Sequence, residues 1–183
     1  MNRCQRLPIA LTVALALGAC GKVQEAATEK AAEKMLESAI SKDGTQAKVN
    51  LSEGAMKVTT TDASGKTTSM EMGNAKITEA ELGLPFYPGA KLTEGSSMRI
   101  VNGANTSLQQ ALHSDDAPDK VAAFYRDKLK SMSEGKQLMD MSSNDGASIS
   151  LVDDKTKSML QVHVSKAEKG SDIAIVANRE GAK

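Results

Sequence analysis

The chain has 183 residues, with 23 basic and 23 acidic side chains and therefore no formal net charge at pH 7. A balanced charge excludes a strong electrostatic field that would steer nucleic acid to the surface. The chain has two tyrosines, two phenylalanines and no tryptophan. Because aromatic side chains dominate most binding sites, this composition argues against a large aromatic pocket for a sugar, haem or nucleotide. The length predicts one domain of about 100 residues with accessory segments around it.

The first twenty residues have the organisation of a secretory signal peptide. Arg3 and Arg6 form a short positive region, an apolar run follows over residues 7–17, and small residues precede Cys20. The run is too short to cross a bilayer, which requires about 20 apolar residues. We therefore predict that residues 1–19 are a signal peptide, cleaved between Ala19 and Cys20.

Residues 17–20, Leu-Gly-Ala-Cys, resemble the lipobox of bacterial lipoproteins. In that family the cysteine thiol is alkylated by diacylglycerol, the chain is cut ahead of it, and the new amine is acylated, for example with palmitate. The resemblance implies lipidation of Cys20 and a stable membrane anchor, because several acyl chains together bind a bilayer strongly. Gly21, where an aspartate would favour inner-membrane retention, suggests an outer-membrane location facing the periplasm. Cys4 is lost with the signal, so no disulfide is expected.

The segment over residues 20–45 is predicted to be a helical stalk or linker. Apolar side chains recur at helical spacing between Val23 and Lys42, with glutamate and lysine between them. The apolar stripe is thin, and Gly44 ends the helix before the three or four heptads that a coiled coil needs. We therefore expect a solvated helix that lifts the rest of the chain off the membrane.

Residues 46–76 are predicted to form a small three-stranded β-meander. Apolar and polar residues alternate in three short runs, which are separated by turns around Gly54 and Gly65 and ended by Gly73. Three strands alone are marginally stable. We therefore expect the meander to pack on a neighbouring part of the chain.

Residues 77–183 are predicted to form the main domain. Pro88 and Gly89 suit the centre of a type II turn, because proline sets the first φ and glycine supplies a positive second one. A helix is expected from Pro118 to about Ser131, with caps supplied by residues 114–116. Alternating polar and apolar residues predict six strands, over residues 97–101, 106–113, 136–141, 147–152, 158–165 and 172–178.

The order of these elements favours an α+β fold over an α/β fold, because two strands, one helix and four strands are joined by short turns. We expect an antiparallel sheet of about six strands packed by one long helix. The small three-stranded β-meander and the N-terminal stalk helix would precede this sheet in the chain.

The stretch over residues 84–130 resembles a group of small bacterial lipoproteins of unknown function. The resemblance is carried by Tyr-Pro-Gly-Ala at residues 87–90 and by Val-Ala-Ala-Phe-Tyr at residues 121–125, in a helix that begins with proline. Glycine-punctuated hairpins often precede such domains, as they do here over residues 47–73. The resemblance implies the architecture described above and supplies no catalytic residue.

Candidate catalytic residues are few, since the chain has only two histidines. His113 lies beside a serine and an aspartate, but Ser-His-Asp triads are assembled in space rather than from sequence neighbours. The sequence has no Gly-x-Ser-x-Gly, His-Glu-x-x-His, phosphate-loop or dinucleotide motif. We expect His113 and His163 to be exposed, the acidic pair 115–116 to cap a helix and the acidic pair 153–154 to form a turn.

Methionine is the one residue type with a suggestive arrangement. Met70 and Met72, and likewise Met139 and Met141, place two thioethers on the same face of a predicted strand. Thioethers together with imidazole favour Cu(I). Methionine also fills irregular gaps in cores, and this ordinary role is the simpler interpretation. The four residues are therefore an alternative metal site.

These observations lead to two main functional hypotheses. The first is a non-enzymatic envelope lipoprotein, which acts as an accessory or structural binding module through the polar sheet face around His163 or through an uncovered strand edge. It would contact the membrane through its lipid, bind an envelope protein, and need neither cofactor nor nucleic acid. The second is a carrier of a small ligand or Cu(I), with a pocket lined by methionine and leucine. A hydrolase ranks below both, because it would require a buried pair of histidine and carboxylate.

Overall fold

The computed structural model describes residues 21–42, 44–52, 54–143 and 145–181. The helices in this part of the chain are α1 (Gly21–Ile40), α2 (Glu79–Leu82) and α3 (Pro118–Ser131). The strands are β1 (Gln46–Ser52), β2 (Ala55–Thr61), β3 (Thr67–Gly73), β4 (Lys91–Leu92), β5 (Ser97–Asn102), β6 (Asn105–Ser114), β7 (Gln137–Ser143), β8 (Gly146–Asp153), β9 (Ser158–Lys166) and β10 (Ser171–Arg179). Helix α3 and the six strands predicted for the main domain thus lie within about two residues of the positions that the periodicity indicates.

All of these strands belong to one antiparallel sheet, in the order β1-β2-β3-β5-β6-β10-β9-β8-β7, with the short β4 paired to β6. The prediction of about six strands packed by one long helix, with a small meander ahead of them, is therefore wrong. The meander joins the main sheet because β3 pairs with β5, from Thr68 opposite Asn102 to Gly73 opposite Ser97. This pairing satisfies the backbone groups along β3, which a separate meander would leave exposed.

The apolar side of the sheet changes between β5 and β6. In the half formed by β6 to β10, apolar side chains lie on the face packed by α3, and the fully buried ones include Leu112, Ile149, Val162, Val164 and Ile175. In the other half the apolar side chains lie on the opposite face, where one cross-strand row consists of Val49, Val58, Met70 and Ile100. The sheet is thus continuous in hydrogen bonding but has its two apolar faces on opposite sides.

The aromatic side chains form one cluster, where α3 meets the segment before β4. Tyr87 packs edge-on against Phe124 with ring centroids 5.2 Å apart, and Phe124 packs edge-on against Tyr125 at 5.1 Å. The predicted turn positions Tyr87: Ala90 N donates a hydrogen bond to Tyr87 O at 3.0 Å, and Gly89 has a φ of +79°. A type II turn requires this positive φ, so the turn is confirmed.

The N-terminus of α3 differs from the prediction. Its N-cap is Ala117, which forms no side-chain hydrogen bond to the helix, so the expected acidic cap is absent. Asp116 instead accepts hydrogen bonds from Tyr87 Oη at 2.7 Å and from Lys120 Nζ at 3.0 Å. These donors, Tyr87 before Lys120, lower the pKa of the Asp116 carboxyl below its ordinary value. Asp116 thus ties the start of α3 to the Tyr87 turn.

Helix α1 lies along the outer edge of β1 and does not stand free as a stalk. Side chains at four-residue spacing, on the helix and just after it, accept hydrogen bonds from alternate N–H groups of the strand: Leu51 N to Glu33 Oε1 at 2.7 Å, Val49 N to Glu37 Oε1 at 2.9 Å and Ala47 N to Ser41 Oγ at 3.0 Å. Side chains four residues apart share one face of a helix, and alternate N–H groups point to one side of a strand. The helix therefore pairs an edge that β1 would otherwise expose.

Helix α2 is a single turn that is held by a capping box and by an ion pair to β5. Thr78 Oγ1 accepts a hydrogen bond from Glu81 N, and the Glu81 carboxylate accepts one from Thr78 N at 2.9 Å. The same carboxylate accepts a hydrogen bond from Arg99 Nη1 at 2.7 Å. Arg99 first, and then Thr78, lower the pKa of Glu81 to about 2.

We expect this ion pair to make stability depend on pH in the acidic range. A carboxyl whose pKa is lower in the folded state stabilises the fold above its ordinary value of 4.5, and the contribution is lost as the pH falls towards about 2. Glu81→Gln should therefore lower the thermal midpoint at neutral pH, and by progressively less below pH 4.5, with a small effect because the pair is exposed to solvent. Melting curves across this range test the expectation, with Glu134→Gln at an exposed position as control. A difference that stays constant down to pH 2 would contradict it.

Candidate binding surfaces on the sheet

The two histidines lie on the sheet face opposite α3 and do not form a catalytic group. His113 on β6 lies opposite Asp172 on β10, with Nδ1 2.9 Å from Asp172 Oδ1. Their side chains are 39% and 62% exposed, so this is a solvated surface pair and not the desolvated pair of a catalytic base. His163 on β9 is exposed, as predicted, whereas His113 is half-exposed and paired. Within the described residues, no serine hydroxyl is hydrogen-bonded to either ring.

The acidic pairs serve local structure. Asp115 lies 3.0 Å from Lys169 Nζ, which lowers the pKa of the Asp115 carboxyl. Asp153 accepts hydrogen bonds from Lys155 N at 2.9 Å and from Thr156 N at 3.2 Å, and so forms the predicted turn. Across the described ranges, no three His, Cys, Asp or Glu side chains are grouped closely enough to hold a metal ion.

Strand β7 forms the second edge of the sheet, and its hairpin has the same register as the hairpin at β1. Ser52 lies opposite Ala55 at the end of one hairpin, and Ser143 lies opposite Gly146 at the end of the other. In such a hairpin, alternate residues of the edge strand direct their N–H and C=O groups outward. In β1 these are Ala47, Val49 and Leu51, whose N–H groups donate to side chains of α1 and of the residue just after it. In β7 they are Leu138, Asp140 and Ser142.

No part of the described chain satisfies the outward N–H groups of β7. Contacts with α3 nevertheless fix the position of the strand. Arg126 of α3 forms an ion pair with Asp140 and donates a hydrogen bond from Nη2 to Ser142 Oγ at 2.9 Å. This contact also lowers the pKa of the Asp140 carboxyl. On the opposite face of the strand, Met139 and Met141 are 49% and 68% exposed. The β7 edge is therefore ordered, unpaired and flanked by exposed thioethers.

The methionines of the alternative metal site do not come together. Met70 and Met72 are on β3, and the second predicted pair is on β7, six strand intervals away in the sheet order. Two other methionines lie beside the first pair, since Met56 on β2 and Met98 on β5 are both directly opposite Met72. Sequence reasoning missed Met98, because no local pattern indicates that β3 pairs with β5.

Two of the clefts that border the described part of the sheet bear on the carrier hypothesis. One has a volume of about 160 Å³, lies near the C-terminal end of α3, and is lined by residues that include Leu82, Met132 and Leu151. It is smaller than roughly 300 Å³, the lower end of the range for small-molecule sites. The other has a volume of about 500 Å³, is open to solvent between α1 and β1 to β3, and has a lining that includes Glu29, Leu51, Met56 and Met72. The second cleft has the side-chain types that the carrier hypothesis requires.

The predicted signal peptide, including Ala19, and the predicted lipidation site at Cys20 lie outside the described residues. No helix in the described ranges is sufficiently long and apolar to cross a membrane. Comparison with known protein families, characterised proteins and solved structures found no match to this chain. A functional assignment therefore depends on the sequence motifs and on the surfaces described above.

Proposed function

We propose that this chain is a non-catalytic lipoprotein of the bacterial envelope that binds a protein partner by strand addition at β7. The lipobox and its cysteine support the membrane anchor. The single observation that supports the binding role is the difference between the two edges of the sheet, since β1 is paired by α1 whereas no described residue pairs with the outer side of β7. An extended segment of a partner would bond to the outward N–H and C=O groups of β7, as in other strand-addition complexes.

The residues on β7 favour a selected partner over uncontrolled aggregation. Natural sheets protect exposed edges with charged side chains, and Asp140 with its ion pair to Arg126 places such charges on this edge. A strand added here must accommodate that pair. The exposed Met139 and Met141 offer flexible, polarisable contacts on the other face. Main-chain bonds would thus supply affinity, and these side chains would supply selectivity.

The anchor and the open edge lie at opposite ends of the strand order. Cys20 directly precedes α1, α1 is bonded to β1, and β7 is the last strand at the other end. A partner bound at β7 would therefore occupy the edge most remote in strand order from the lipid. This arrangement suits an accessory subunit that is tethered at one edge and binds at the other.

Replacing Ser142 by proline should abolish partner capture while the fold is kept. The N–H of Ser142 points outward, so proline removes a donor that an added strand needs. The substitution breaks no backbone hydrogen bond to β8. The matched control is Ser142→Ala, which retains the N–H and loses only the hydroxyl that Arg126 contacts. Urea unfolding of both variants checks that each remains folded.

Capture is measured by cross-linking and pull-down of the lipidated protein from detergent-solubilised envelopes, with Cys20→Ala as control for the anchor. The proposal requires a partner that is recovered with the wild type and with Ser142→Ala but falls by about tenfold or more with Ser142→Pro, equivalent to about 1.4 kcal/mol in binding. Equal recovery with the two Ser142 variants would contradict binding at β7. Recovery of the protein alone, without a partner, would contradict a stable complex.

A further inference from the structure

Three methionines lie side by side across β2, β3 and β5. Met72 is directly opposite Met56 on one side and directly opposite Met98 on the other, and residues in direct opposition point to the same face of a sheet. Met70 lies two residues along β3 and therefore also on that face. Because neighbouring strands are about 4.8 Å apart, the backbones of Met56 and Met98 each lie about one strand spacing from Met72, which is within reach of a methionine side chain.

The cluster does not belong to the core that α3 covers. In the described part of the chain the main contacts of the helices with the sheet are those of α1 with β1, α2 with β10, and α3 with β7, β8 and β9. The thioethers are on the face opposite the one that α3 packs, and all four are partly exposed. The methionines therefore lie at the partly exposed margin of an apolar face whose centre, at Val49 and Val58, is buried. A purely hydrophobic role at this margin would be served equally by leucine or valine.

The open cleft between α1 and the first strands gives solvent access to the cluster. Met56 and Met72 both line it, and so does Glu29 of α1. The cleft thus combines soft sulfur donors, which favour a monovalent d¹⁰ cation, with a carboxylate that adds negative charge nearby. The neighbouring Val58 and Ile100 provide an apolar surrounding on the same face.

We propose that Met56, Met72 and Met98, together with Met70, form a binding site for a soft monovalent cation, Cu(I) or Ag(I). Two or three of the sulfurs would coordinate the ion, and Met72, with a methionine on each side, would be the shared ligand. Binding changes no oxidation state and releases no proton, because a thioether is a neutral ligand. The site is independent of the β7 edge and of the proposed partner.

The test is a titration of the purified full chain in detergent with Cu(I) under anaerobic conditions, in competition with the chromophoric chelator bicinchoninate. The chain should take up one equivalent of Cu(I). Met72→Leu should weaken the affinity by about tenfold or more, because leucine keeps the apolar volume and removes the central sulfur. Unfolding midpoints of the variants in the absence of metal confirm that the substitution leaves the fold intact.

Met141→Leu is the matched control. Met139 and Met141 have the same two-residue spacing on one strand, but the residues opposite them are Ser150 and Ser148, so no second methionine faces either one. This variant should bind Cu(I) like the wild type. Retention of all the Cu(I) by the chelator, or equal losses with Met72→Leu and Met141→Leu, would overturn the proposal. Neither result depends on partner capture, which the Ser142 variants test separately.

Discussion

Replacing Tyr125 by alanine should lower the free energy of unfolding by about 3–5 kcal/mol, the largest loss that we expect from a single substitution in this chain. Tyr125 is 0% exposed, and in a chain with only two tyrosines and two phenylalanines few other large side chains can fill its place. Its ring also packs edge-on against Phe124. Urea unfolding followed by circular dichroism measures the loss.

The companion variant Tyr125→Phe distinguishes the contribution of the ring to stability from that of the hydroxyl. Among the described residues the hydroxyl of Tyr125 is buried and forms no hydrogen bond of full geometry, although the backbone of Tyr87 lies close enough to lower its pKa. Burial outweighs that contact and raises the pKa, because the phenolate cannot be solvated there. Phenylalanine keeps the packing and removes the unsatisfied group, so stability should be unchanged or higher by about 1 kcal/mol. A loss of more than about 2 kcal/mol with phenylalanine would contradict the unsatisfied state of the hydroxyl.

Gly146→Ala should lower the free energy of unfolding by about 3 kcal/mol, because a Cβ at this position would overlap the carbonyl oxygen of Val164 on β9. The end of this hairpin is held closely to β9, since Lys166 N donates to Asp145 O at 2.9 Å. A backbone carbonyl cannot turn aside as a flexible side chain can. Strands β8 and β9 would therefore have to separate or change register.

Gly135→Ala is the control for the loss of glycine itself. Gly135 has a φ of +72°, and a Cβ there would meet no atom within 4 Å, so the cost is backbone strain alone. That strain amounts to about 1–2 kcal/mol. The excess loss of Gly146→Ala over Gly135→Ala, measured by the same urea unfolding, reports the overlap. Equal losses in the two variants would contradict the close approach of β8 to β9.

Local elements were predictable because their causes are local. Helix α3 begins at Pro118, as expected, since proline suits the first turn of a helix and the apolar residues after it recur at helical spacing. The type II turn at Pro88 and Gly89 was predictable for the same reason, because φ is a property of the residue itself. The prediction of an acidic cap for α3 was wrong, because the Asp116 carboxylate accepts a hydrogen bond from the hydroxyl of Tyr87, a residue far away in the chain.

The extent of the sheet and the candidate binding surfaces were not predictable in this way. A two-residue period indicates which side chains share a face of a strand, but it does not indicate which strand lies beside it. The pairing of β3 with β5 joins the meander to the main sheet and places Met98 beside Met72. The pairing of β5 with β6 sets Arg99 opposite the buried Leu108. The apolar residues of β5 therefore lie on the opposite face of the sheet from those of β6.

The sequence by itself determined where α3, the turns and the strands other than the short β4 lie. It also contains the motif resembling a lipobox from which the anchor is predicted. These features depend on residue type and near-neighbour spacing. Only the tertiary structure decided that β1 is paired by α1, that β7 remains open, and that the methionines of β2, β3 and β5 form a row. Those features arise from hydrogen bonds and packing between segments distant in the chain. Local composition does not specify such contacts, because many strand orders satisfy the same alternating pattern.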